Sequence, residues 1–195
     1  MSNRKGVSIM EKLRNWFHTG EHRMLLWANR RPLNPRVSVW LGRWLGSITH
    51  MGGATFTLFT ALSLGLMGTY PWNIAGWQSL AAVAISHIPV FIAKRKFKRL
   101  RPYQALQNVN TGKRTLIDPS FPSGHTTAIF AWMLPLMFAE TALMILLLPV
   151  AIILLISVAW SRMYLGLHYP SDVVAGAVIG SLTASLVSSL SWWSA

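Results

Sequence analysis

SRMYLGLHYPSD, residues 161–172, closes one long apolar run, Ala142 to Trp160, and opens another, Val173 to Leu190. Two such runs joined by a short polar turn predict two membrane-spanning helices with the turn at the interface. The turn carries chemistry as well. His168 and Asp172 are four residues apart, which lets a carboxylate reach an imidazole nitrogen across a turn. A carboxylate on one ring nitrogen fixes the tautomer and leaves the other nitrogen free and more basic. Arg162 adds a planar, always-charged donor fork suited to phosphate. Taken alone, the stretch also fits an ion-paired loop at the membrane surface.

The rest of the chain has the same character. It is 195 residues long, one domain by length, and 52% of its residues are apolar and gathered in blocks. Its formal charge is +13. In a soluble protein that excess would suggest nucleic acid. With these apolar blocks the expected partners are anionic lipid headgroups or a phosphorylated substrate, not nucleic acid. There is no cysteine, so disulfides and thiolate metal sites are excluded. The carboxylates are Glu11, Glu21, Asp118, Glu140 and Asp172. They are too scattered for a two-metal phosphatase centre, so the expected chemistry uses no metal and no other cofactor.

Hydropathy predicts an all-α integral membrane protein, a bundle of about five transmembrane helices behind N-terminal interfacial amphipathic helices. Residues 1–50 read as the basic interfacial segment and 51–195 as the membrane-embedded domain. Ile9, Leu13, Trp16, Phe17, Met24 and Leu25 recur at roughly helical intervals, and no apolar core of signal-peptide type follows Arg4 and Lys5. After Pro32 and Pro35, the residues Val37, Trp40, Leu41, Trp44, Leu45 and Ile48 form a second helical stripe. The spans are read as Met51–Thr69, Ile74–Ala93, Ser123–Ala139, Ala142–Trp160 and Asp172–Leu190, with Glu140 and Thr141 in a turn and Trp192 and Trp193 as an interfacial anchor. His87 and Pro89 lie inside the second span and read as a kink with a core histidine. Following the zigzag puts all 18 Lys and Arg on one side of the membrane. By the positive-inside rule that side is the cytoplasm, so a multi-pass cell-membrane protein with a cytoplasmic-facing site is expected.

Two more stretches fall on that side. In KRKFKRLRP, Lys94 and Arg101 are seven apart and share a face if the second span continues through them. The remaining Arg95, Lys96, Lys98 and Arg99 read as a juxtamembrane cluster for lipid headgroups. In FPSGHTT, residues 121–127, Pro122 and Ser123 suit a helix start, and Gly124 lets an anion approach the backbone. The free N–H groups of that first turn favour an anion, and His125 is placed to give it a proton.

Together the stretches read K-x6-R-P, P-S-G-H and S-R-x5-H-x3-D, on Lys94, Arg101, Pro102, Pro122, Ser123, Gly124, His125, Ser161, Arg162, His168 and Asp172. This pattern resembles the type 2 phosphatidic acid phosphatase superfamily, whose relatives include bacterial acid phosphatases and vanadium haloperoxidases. Many bacterial membrane members look six-spanned, and no span is read here ahead of the interfacial segment. The resemblance implies a lipid phosphatase acting on phosphatidic acid, phosphatidylglycerophosphate or a polyprenyl diphosphate. It implies His168 as nucleophile through a phosphohistidine, Asp172 as its orienting partner and His125 as acid and then base. Lys94, Arg101, Ser123, Gly124 and Arg162 would bind the phosphate. Two alternatives accompany it: a vanadate-dependent peroxidase-like enzyme, and a non-enzymatic lipid-binding or transport protein.

Overall fold

A computed structural model describes residues 9–111, 115–139 and 143–190. Among the described residues the chain is helical, with no strand. The helices are α1 (Ile9–Ala28), α2 (Pro35–Ile48), α3 (Ala54–Met67), α4 (Trp72–Phe97), the single turn α5 (Pro102–Ala105), α6 (Gly124–Met137), α7 (Met144–Tyr164) and α8 (Pro170–Ser189), with a 3-10 turn at Thr49–Gly52. The Glu140–Thr141 turn, Lys113, Arg114, Trp192 and Trp193 lie outside the described residues.

Local chemistry sets the boundaries. The Asn34 side chain caps α2 by accepting from the Arg36 and Val37 N–H groups at 3.0 and 3.4 Å, with Pro35 in the first turn. Ser123 caps α6, its hydroxyl accepting from the Thr126 N–H at 3.4 Å. Asp172 accepts from the Tyr169 N–H at 2.8 Å and so closes the start of α8.

The helix α6 is central and packs against α4, α7 and α8. Ile129, Met133 and Leu136 meet Ala151, Leu155 and Val158 of α7. On its other side Ala131 meets Ala82 and Val83 of α4 and Ala184 and Val187 of α8. Close approach to α8 depends on two glycines one turn apart. A Cβ at Gly176 would lie 2.6 Å from the Ser123 carbonyl oxygen, and one at Gly180 2.4 Å from that of Thr127. The outward faces are apolar: Phe59 and Leu66 of α3, Ile145, Leu146, Ile153 and Ile156 of α7, and Val174, Leu182 and Leu186 of α8 are exposed. Such a belt is costly in water and ordinary against lipid tails.

Three segments, Trp72–Ala105, Met144–Tyr164 and Pro170–Ser189, are long and apolar enough to cross a membrane. The other two expected spans form helices of 14 residues each, α3 and α6. At 1.5 Å per residue these reach about 21 Å, less than the ~30 Å hydrocarbon layer.

In α1, Leu25 is buried against the bundle while Trp16 and Met24 are exposed. Glu21 and His22 of this helix, and Asn29 just after it, turn towards α7, α8 and their connection. The side chains of Ile9, Leu13 and Phe17 lie outside the described residues. Two expectations are corrected. First, Lys94 and Arg101 do not share a helix face. The helix α4 stops at Phe97 because Lys98 adopts a left-handed backbone (φ 44°), and the chain folds back before Arg101. Second, Arg99 does not belong to a headgroup cluster with Arg95, Lys96 and Lys98. Those three are exposed, whereas Arg99 is half-buried in ion pairs with Glu21 and Asp172.

Candidate active site

The α7–α8 connection brings the first group of residues into place. Arg162 sits in the last turn of α7, and its carbonyl accepts from the Leu167 and His168 N–H groups at 3.0 and 3.2 Å. The reversal needs Gly166 at φ +67°, where a Cβ would strike Val109 and the Asn110 carbonyl oxygen. His168 is thereby buried at the start of α8, and the Ser123 N–H donates to the Asp172 carbonyl oxygen at 3.0 Å. That bond joins the starts of α6 and α8, so the second and third motifs share one end of the bundle.

The tautomer of His168 follows from its neighbours. Its Nε2 lies 3.1 Å from Nη1 of Arg101, a group that can only donate. Nε2 therefore carries the lone pair and Nδ1 the proton. Nδ1 faces Oδ2 of Asp172 at 3.6 Å, within ion-pair range but long for a hydrogen bond, and it has no other partner. Burial pushes the imidazole well below its ordinary value, to about 3; Asp172 opposes the shift and the Arg162 and Arg101 charges add to it. The ring is neutral at physiological pH.

Asp172 is wholly buried and fully engaged. Its Oδ2 accepts from the Tyr169 N–H at 2.8 Å and from the Ser120 hydroxyl, and its Oδ1 accepts from Arg99 Nη1 at 2.8 Å.

The first motif arrives through Asp118. Lys94 Nζ donates to this carboxylate and to the Pro119 carbonyl oxygen at 3.1 Å. Arg101 donates from Nη2 to Asp118 Oδ1 at 2.9 Å, from Nε to the Asp118 carbonyl oxygen at 2.8 Å and from Nη1 to the Leu167 carbonyl oxygen at 2.9 Å. Burial alone would raise the Asp118 carboxyl, but Lys94 and Arg101 outweigh it and hold it below its ordinary value.

Arg162 is different. It is 3% exposed, and its one side-chain bond among the described residues runs from Nη1 to Thr49 Oγ1 at 2.8 Å. Its Nε has no partner, and among the described residues no carboxylate lies within ion-pair distance. Nearby, a Cβ at Gly124 would meet nothing within 4 Å, so the N-terminus of α6 faces open space. His125 follows it, half-buried, and lines a cavity of about 380 Å³ together with Gly52, His87, Phe91, Lys94 and Gly124.

Residues 75–195 match the sequence profile described as the PAP2 superfamily. The chain belongs to that family. Among curated PAP2-like relatives, the decaprenylphosphoryl-5-phosphoribose phosphatase of Mycobacterium tuberculosis (strain H37Rv) is 34% identical over 119 residues, 61% of this chain and 60% of that protein. The chain therefore covers less than two thirds of that relative's length. Two crystal structures share the fold. One is Aquifex aeolicus LpxE, with a TM-score of 0.71 at 22% identity, covering 85% of this chain and 92% of that one. The other is a transmembrane PAP2-type phosphatidylglycerolphosphate phosphatase from Bacillus subtilis, with a TM-score of 0.69 at 24% identity over 89% of this chain and 85% of that one. The family, the fold and the three long apolar helices make this a membrane protein.

The eight residues expected to act on or bind the phosphate all lie at this end of the PAP2 bundle. Four partners did not stand out in the sequence: Asp118, Ser120, Thr49 and Arg99. The signal for Asp118 was present, because it is one of only five carboxylates and sits seven residues before His125 amid basic residues. His87 was read as a core histidine. Its Nδ1 does donate to the Val83 carbonyl oxygen at 2.8 Å, but the ring also forms part of the cavity wall.

Proposed function

We propose that the chain hydrolyses a lipid phosphate through a phosphohistidine. The observation that carries this is the buried Arg162 guanidinium, which has no carboxylate within ion-pair distance among the described residues and whose charge acts on both His125 and His168. A cation buried without a counter-charge is costly, and a phosphoryl group would supply the missing charge. On this reading Nε2 of His168 attacks phosphorus as the bond to the leaving oxygen breaks, while Asp172 stabilises the imidazolium that develops. Arg162, Lys94 and Arg101, with the Ser123 hydroxyl and the Gly124 N–H, neutralise the equatorial oxygens. Arg101 must first leave Nε2, and the arriving phosphate gives it a better acceptor than the imidazole. His125 protonates the leaving oxygen, then takes a proton from the water that cleaves the N–P bond. No resident metal or cofactor has a part in these steps.

The substrate class is supported by the relatives, whose names include a phosphorylated polyprenyl-linked ribose and phosphatidylglycerolphosphate. The buried position of the site at one end of an apolar bundle suits a substrate whose tail stays in the bilayer. We further propose that α3 and α6 cross the membrane with the three longer helices, locally matched by bilayer thinning, giving five spans within residues 51–195. Residues 1–50 would then lie at the interface on anionic lipid headgroups, with exposed Trp16, Trp27, Trp40 and Trp44 at headgroup level.

The test is release of inorganic phosphate from phosphatidic acid and phosphatidylglycerophosphate in detergent, with a chelator present. His168→Ala and Arg162→Ala are expected to abolish release, while His87→Ala retains most of it. Vanadate, which adopts the pentacoordinate geometry, should inhibit. His125→Ala should lose most activity on lipid phosphates and least on an activated aryl phosphate, whose leaving group needs no proton. Equal losses on both would remove His125 from the acid role.

A further inference from the structure

We infer that Arg99 and Glu21 form a positioning relay that sets the Asp172–His168 pair from the N-terminal helix. The inference rests on the functional reading above. Arg99 uses both ends of its fork: Nη1 donates to Asp172 Oδ1 at 2.8 Å and to Ser171 Oγ at 2.7 Å, and Nη2 donates to Glu21 Oε2 at 2.7 Å. Glu21 in turn accepts at Oε1 from the Ser171 N–H at 3.2 Å and from its hydroxyl. The guanidinium lies over the Tyr169 ring, its Cζ 3.8 Å from the ring centroid, and the His22 ring stacks on Tyr169 from α1. The Arg99 carbonyl oxygen also accepts from the Ser120 N–H at 2.8 Å, and the Ser120 side chain donates to Asp172.

The consequence concerns the carboxylate plane. Asp172 is completely buried, and among the described residues Arg99 is its one charged partner, the His168 ring beside it being neutral. A buried carboxylate needs such a partner to stay ionised. With Oδ1 held by Arg99 and Oδ2 held by Ser120 and the Tyr169 N–H, the carboxyl group cannot turn. Its orientation presents Oδ2 to His168 Nδ1. Glu21 prevents Arg99 from following other anions, including the substrate phosphate, and it comes from α1, a helix that also exposes Trp16 and Trp27. Seating of α1 against the bundle and alignment of the nucleophile are therefore linked.

The experiment measures kcat and KM for one lipid phosphate in detergent, with unfolding midpoints, for wild type, Arg99→Gln, Arg99→Lys, Glu21→Gln and the double variant Glu21→Gln/Arg99→Gln. Arg99→Gln is expected to lower kcat by roughly 10- to 100-fold with KM within about twofold, and Arg99→Lys to recover part of it. Glu21→Gln should lower kcat by roughly 3- to 10-fold. The double variant should be no worse than Arg99→Gln, since one relay is already broken. Wild-type kcat in a folded Arg99→Gln or Glu21→Gln, or a change confined to the unfolding midpoint, overturns the relay and leaves the clamp structural. Should Arg99→Gln fail to fold, the near-isosteric Glu21→Gln decides by the same criterion. A wild type that releases no phosphate from any lipid tested would instead sink the functional reading, so the two failures are separable.

Discussion

At the scale of single residues, the site depends on which nitrogen of His168 holds the proton. Arg101 can only donate, so the lone pair is on Nε2 and the N–H points at Asp172. Asp172→Asn keeps the shape but can turn its own N–H towards Nδ1, favouring the wrong tautomer. We expect folded protein with kcat reduced by roughly 10²–10⁴-fold; near wild-type turnover would leave Asp172 as a helix-start charge only. The low value of His168, about 3 against an ordinary 6.5, has a second consequence, for stability. Between those values the unfolded chain binds a proton that the native chain refuses, so stability rises with pH across the window and is lost as pH falls below 6.5. Unfolding midpoints at pH 7 and pH 4.5 should therefore differ more in wild type than in His168→Gln; equal differences would mean that the imidazole is protonated in the fold. The three motifs, with their His, Arg and Asp, were legible because each residue type has one evident use on a phosphate. Asp118 and Ser120 were not, because their role is to hold other side chains, and a holding residue has no fixed spacing. Arg99 was misread for a related reason: among the six cations of KRKFKRLRP, nothing local distinguishes Arg99 from the exposed Arg95, Lys96 and Lys98.

At the scale of elements, the reading of apolar runs located α3, α4, α6, α7 and α8, each within a few residues. It failed where backbone conformation decides. The left-handed Lys98 ends α4 and breaks the expected Lys94–Arg101 face, yet both side chains still converge, because Asp118 gathers them from the following loop. The 3-10 turn Thr49–Gly52 was likewise invisible, although it carries Thr49 to Arg162. Two glycines separate packing from chemistry. A Cβ at Gly52 would lie 2.7 Å from the His125 carbonyl oxygen and 2.7 Å from Val158 Cγ1, while one at Gly124 meets nothing. Gly52→Ala should cost about 1–3 kcal/mol through overpacking and, by displacing Thr49, lower kcat/KM by about tenfold. Gly124→Ala should leave the unfolding midpoint in place yet lower kcat/KM by a similar factor, because the methyl group enters the space above the α6 N-terminus. A Gly124→Ala variant with wild-type kinetics would show that the anion is held elsewhere.

At the scale of the whole molecule, the open question is which side of the membrane the site faces. On the five-span zigzag expected from the sequence all 18 Lys and Arg fall on the site's side, and the α3–α4 turn at the opposite end has none. On the proposed mechanism Lys94, Arg101 and Arg162 serve the chemistry and Arg99 the relay, so they are not independent votes on topology. The exposed Arg95, Lys96 and Lys98 have no such duty and lie at the end of α4 on the site's side. By the positive-inside rule we expect the site to face the cytoplasm, which would favour a lipid phosphate of the inner leaflet, such as phosphatidylglycerophosphate or phosphatidic acid, over a polyprenyl diphosphate released outside. The absence of cysteine permits a direct measurement. Gln107 follows α5 on the site side and Thr69 precedes α4 on the other, and both are exposed, so a cysteine at either position is accessible from its own compartment. In intact cells a membrane-impermeant thiol reagent should label Thr69→Cys and spare Gln107→Cys, which reacts only after the membrane is opened. The reverse pattern would place the site on the outer face, and a polyprenyl diphosphate would become the first substrate to assay.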